Sequence, residues 1–122
     1  MRDFRKYDVW NLAIAFATEI YSTSAQFPIF EKYALSTQLC RAAVSISSNI
    51  AEGAARSSET DFCRFLEIAL GSAFEVESQL TIANRLGYIN TEEFDKLIEQ
   101  TQTIERKINN LIHTIKTPIT TH

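Results

Sequence analysis

Apolar residues recur at intervals of three and four along most of this chain, the spacing that places them on one face of an α-helix. Val9, Leu12, Ala13, Phe16, Ile20 and Phe27 form the first such stripe, and Pro28 closes it. Leu35, Leu39, Ala42, Ala43, Ile46 and Ile50 form the second. Phe62, Leu66, Ala69, Ala73, Val76, Leu80 and Ala83 form the third, and Phe94, Leu97, Thr101, Ile104, Ile108, Leu111 and Ile115 the fourth. The punctuation between stripes agrees with this division. Asp8 and Ser36 are candidate N-caps, while Ser58 with Asp61, and Asn90 with Glu93, have the spacing of capping boxes. Gly87 is placed to end the third helix in a left-handed residue. Helices are thus expected at about 8–27, 36–56, 59–86 and 91–116. Short connections make consecutive helices antiparallel neighbours, so the predicted fold is all-α, a single up-down-up-down four-helix bundle spanning 1–122. The tail beyond Pro118 is expected to fray.

The second helix has an unusual polarity. From Tyr33 to Ala55 it carries only Arg41 and Glu52 as charged side chains. Cys40, Val44, Ser47 and Ala51 lie behind its core stripe, as Cys63, Leu70 and Phe74 do on the third helix. A monomeric core requires one stripe per helix, so the second stripes predict a subunit interface. The alternative is a monomer whose termini cover that face.

Gln38, Arg41, Ser45, Asn49 and Glu52 share a narrow sector of the second helix, and Asp61, Arg64, Ser72, Glu75 and Gln79 a comparable sector of the third. A hairpin turning near Ser57 and Ser58 brings together residues whose numbers sum to about 116. Arg41 is then expected opposite Glu75, and Glu52 opposite Arg64, as partly buried ion pairs that fix register. In the functional reading of this stripe, Arg41, Asn49 and Glu52 instead bind a ligand or a phosphate.

Charge narrows the function classes. The net charge is −3, and residues 1–58 hold six basic and five acidic side chains against six and ten in residues 59–122. Bulk electrostatics therefore do not favour nucleic acid. A local patch of Arg2, Arg5, Lys6, Arg106 and Lys107 is the candidate for such contact. No signal-peptide pattern or run of 18 apolar residues occurs, so a cytosolic protein with reduced Cys40 and Cys63 is expected. His113 and His122 lack metal-type spacing, and the chain has no phosphate loop, nucleophile elbow or Glu-x-x-His motif. Neither an enzyme nor a cofactor is expected.

The run SISSNIAEGAARSS from Ser45, with QLCRAA before it from Gln38 and FCRFLEIALGSAFEVESQL after it from Phe62, resembles a bacterial four-helix-bundle family. That family is named for proteins encoded in 23S ribosomal RNA intervening sequences, and the resemblance extends from VWNLAIAF at Val9 to RLGYI ending at Ile89. It implies an antiparallel bundle assembling as a homopentamer. A similar branch, the accessory variability determinant proteins of diversity-generating retroelements, implies association with nucleic acid and a reverse transcriptase. Those relatives are strongly basic, and this acidic chain departs from them there. The expected role is a non-enzymatic oligomeric scaffold or adaptor with an unidentified protein partner. The alternative is an accessory protein that binds RNA or DNA, with a reverse transcriptase or ribosomal RNA as partner.

Overall fold

The computed structural model describes residues 2–117, so Pro118 and His122 lie outside the described residues. Four helices make up nearly all of it: α1 Asp8–Ser24, α2 Leu35–Ala54, α3 Glu59–Arg85 and α4 Thr91–Lys116. Short 3-10 turns occupy Phe4–Lys6 and Ile29–Glu31, and no strand occurs among the described residues. Each helix packs on the next, the α2–α3 seam being the broadest, and α4 returns to α1 along the narrowest seam to close the bundle.

Local chemistry explains most helix ends. Ser58 Oγ accepts from the Asp61 amide at 3.1 Å and Asn90 Oδ1 from the Glu93 amide at 2.8 Å, each satisfying a backbone donor that the first turn leaves free. At the end of α3, Gly87 takes φ 81°, and its amide donates to the Asn84 carbonyl while the Tyr88 amide donates to Ala83. This is the Schellman arrangement, which needs a residue tolerant of positive φ.

Two expected caps are different. Asp8 is already helical, Tyr7 holds the cap position without a side-chain bond, and Asn11 Nδ2 donates back to the Tyr7 and Arg5 carbonyls at 3.1 and 3.0 Å. Ser36 lies inside the first turn of α2, whose Leu35 amide donates to Glu31 Oε1 at 3.4 Å. Glu31 can reach because its other oxygen accepts from the Tyr88 hydroxyl at 2.8 Å, which ties the α1–α2 connector to the α3–α4 connector. The helix α1 also stops at Ser24, and Phe27 is buried beyond it against Tyr88, ring centroids 5.3 Å apart.

The core contains the predicted stripes: Phe16, Ile20, Leu39, Ile46, Ile50, Phe62, Leu66, Leu80, Ile104 and Ile108 are all buried. Thr101 is fully enclosed as well, its hydroxyl donating to the Leu97 carbonyl at 2.7 Å, so its polar atom needs no other partner. The α2–α3 seam closes over small residues. A Cβ added at Gly53 would sit 2.7 Å from Phe65 Cβ and 3.0 Å from Phe62 Cδ1, so only glycine admits the start of α3 at this height.

The second apolar stripes are largely spent inside the chain. Ser47 is buried and Cys40 half-buried, with Cys40 Sγ 3.2 Å from Ser24 Oγ on α1. Cys63 is buried and Leu70 half-buried on the side of α3 that meets α4, where Glu67 pairs with Lys116 and Glu77 with Gln102. The physical reason is that α2 and α3 each have two helical neighbours in a closed bundle, so each uses two stripes. Only Val44 and Phe74 of the two stripes remain exposed as large apolar side chains, at 38% and 52%.

Candidate functional site

The α2–α3 seam carries the polar stripe. Ser45 and Ser72 meet hydroxyl to hydroxyl at 2.8 Å, which fixes the antiparallel register close to the one expected from the hairpin. Asn49 Nδ2 donates to the Ser45 carbonyl and hydroxyl at 2.8 and 2.9 Å, orienting that hydroxyl toward α3. Around this rung Gln38, Arg41, Ala42, Ser72, Glu75 and Gln79 line a shallow depression of about 350 Å³. Gln79 is 9% exposed, and its Oε1 is buried without a hydrogen-bond partner.

Arg41 and Glu75 share this depression, yet no ion pair within 4 Å joins them, and both are exposed. Glu52 and Arg64 do not pair either. Arg64 lies 3.7 Å from Asp61 on its own helix, with its guanidinium 5.1 Å from the Phe65 ring centre. The expected buried ion pairs are thus absent. Small residues bring the two helix backbones close, and the long side chains flanking the seam are directed outward to water, where neither charge must be neutralised.

The basic residues of the candidate patch gather at the end of the bundle where α1 begins. Arg2 Nη1 donates to the Arg56 carbonyl at 2.8 Å with its guanidinium 4.7 Å from the Phe62 ring centre, and Arg5 pairs with Asp3 at 3.3 Å. Lys107 pairs with Asp8 at 2.7 Å, and Arg106 donates to Thr103 Oγ1 at 3.1 Å. Lys6 is exposed. Arg2, Arg5 and Lys107 therefore act first as fasteners of the N-terminal segment and α1, and Asp3 and Asp8 dilute the positive potential they create.

One titratable group lies outside the stripes read from the sequence. Glu105, 8% exposed on α4, faces Glu77 of α3, and no donor group reaches its buried Oε2. Burial, with a hydrogen bond to Glu77 and that residue's negative charge, pushes the Glu105 carboxyl up to about 8, against a smaller opposing effect of Arg106. A protonated Glu105 can donate to the Glu77 carboxylate. The signal was present in the heptad, since Glu105 follows Thr101 by four and Ile98 by seven, on the flank of the core stripe. Among the described residues no cluster of three or more His, Cys, Asp and Glu side chains could hold a metal ion, and no helix is long and apolar enough to cross a membrane.

Fold and seam together define a closed four-helix bundle whose α2–α3 seam is built from small residues. The family is shown by residues 5–110, which match the model of the 23S rRNA-intervening sequence protein family; the chain belongs to that family. Among solved structures it is similar to a protein with unknown function from the S23 ribosomal protein family of Bacteroides thetaiotaomicron, at 28% identity and a TM-score of 0.80, over 86% of this chain and 95% of that one. No curated protein matches the chain.

Proposed function

We propose that the protein is a non-enzymatic scaffold or adaptor that works as a homo-oligomer, with five copies as the resemblance to its family suggests. The observation that carries this reading is the set of large apolar side chains left in water. Ile29, Phe30 and Tyr33 on the α1–α2 connector are 84%, 73% and 86% exposed, and Leu86, at the same end of the bundle, is 55% exposed. A separate group, Ile14, Tyr21 and Val44, follows the outer rim of the α1–α2 seam at 40%, 56% and 38%.

Exposed aromatic and branched side chains in such numbers favour burial against another protein surface. Ile68, Phe74 and Ile82 on α3 are exposed as well, at 45%, 52% and 47%, and unlike patches on one chain suit a heterologous contact, in which one patch of each copy meets a different patch of the next and the series closes as a ring. The position of the first group on a connector held by the Glu31–Tyr88 bond gives it a fixed shape to present. Nucleic-acid binding is the weaker reading, because Arg2, Arg5 and Lys107 already have partners within the chain.

Replacing Phe30 and Tyr33 with glutamate tests the proposal. Multi-angle light scattering should find an oligomer for the unaltered chain and a shift toward 13.9 kDa for the double variant, with helical circular dichroism retained. An oligomer of unchanged mass in the variant would remove the connector from the interface.

A further inference from the structure

The α1–α4 seam is fastened by three polar rungs: Thr23 to Glu93 at 3.0 Å, Glu19 to Lys96 at 3.6 Å and Asp8 to Lys107 at 2.7 Å. The second and third rungs are 11 positions apart along α1, a span of about 16 Å, and there the helices part to leave a groove of about 450 Å³. Leu12, Phe16 and Ile104 give it an apolar floor, and Glu19, Lys96, Glu99, Gln100 and Thr103 give it polar walls.

Two atoms in those walls identify the missing chemistry. Glu19 Oε2 and Gln100 Oε1 are both shielded from solvent, and neither has a hydrogen-bond partner; Lys96 engages only the other oxygen of Glu19. Each is an acceptor, and an enclosed acceptor without a donor favours a ligand that brings one. Lys96 offsets one of the two carboxylates, Glu19 and Glu99, so the groove keeps a formal charge of about −1 and attracts positive charge. An anion would find the wrong sign, and a purely apolar molecule would leave both oxygens unsatisfied. The volume falls within the usual range for small-molecule sites.

We propose that this groove binds a small organic cation, a protonated amine or guanidinium on a short apolar body. The charged head donates to Glu19 Oε2 and Gln100 Oε1, and the body lies on Leu12, Phe16 and Ile104. The site is independent of the oligomer reading, since it is formed by one chain.

Isothermal titration calorimetry on the full chain with n-pentylamine and n-pentylguanidine tests it, with n-pentanol and pentanoate as neutral and anionic comparisons. Saturable one-to-one binding of the cations is expected, at least about tenfold tighter than either comparison, the increment one charge-assisted hydrogen bond supplies. Glu19→Gln should weaken cation binding by about tenfold or more. Ala15→Phe, at an exposed position lining the groove, should abolish binding by filling it while leaving every charge in place. Pentanol binding as tightly as pentylamine, cation binding unaffected by Ala15→Phe, or no saturation with either cation would each overturn the proposal.

Discussion

Single side chains in this bundle divide into those whose charge is free in water and those whose charge is enclosed, and the two groups should respond differently to change. Arg41 is exposed and unpaired within 4 Å, so Arg41→Ala should alter the unfolding free energy by no more than about 0.5 kcal/mol in chemical denaturation. Glu105 is enclosed. Its carboxyl titrates near 8 in the folded chain against an ordinary value near 4.5, so the folded state holds a proton that the unfolded state releases between these limits. The stability from this group is full below about pH 4.5 and is lost as pH rises through about 8. Glu105→Gln keeps a donor toward Glu77 without the charge; the variant should lose this decline and exceed the unaltered chain by on the order of 1 kcal/mol at about pH 9. Parallel denaturation curves for the two proteins from about pH 5 to about pH 9 would refute the enclosed pair. The exposure of Arg41 and the enclosure of Glu105 escape residue spacing for a common reason. Residue spacing reports the direction in which a side chain leaves its helix, and whether it ends in water depends on how closely the neighbouring backbone approaches.

At the scale of elements, the seams and most of the helix ends follow from local rules. The capping boxes at Ser58 and Asn90 and the glycine at Gly87 could be read directly, because each satisfies backbone groups within a few residues of itself. The start of α2 could not, since Ala34 holds the cap position and the Leu35 amide is met by Glu31, held in place by Tyr88 from a distant connector. Ser58→Ala should destabilise by about 1 kcal/mol through loss of the cap. The close approach at Gly53 predicts a larger effect: Gly53→Ala should cost about 1–3 kcal/mol, because α3 must move away from Phe62 and Phe65 contact. An unchanged denaturation midpoint for Gly53→Ala would mean that the α2–α3 seam has slack there. The outward assignment of the second apolar stripes failed at this scale too. A helical wheel gives the angle of Cys40, Ser47, Cys63 and Leu70 but not the number of helices waiting to cover them, and a closed bundle supplies two for each.

For the whole molecule, the surface left after the bundle closes is the most informative feature. The sequence places self-association on the backs of α2 and α3; of those stripes Val44 and Phe74 remain in water, and the connector residues Ile29, Phe30 and Tyr33, with Ile14 and Tyr21 on α1 and Ile68 and Ile82 on α3, join them. Connector residues have no periodicity to betray them, and their exposure depends on the path between two helices. The proposed scaffold role now rests on these groups. Sedimentation velocity on the unaltered chain at micromolar concentration tests it most directly: a single species at a multiple of 13.9 kDa is predicted, five copies giving the expected ring, and a monomer of 13.9 kDa would contradict it.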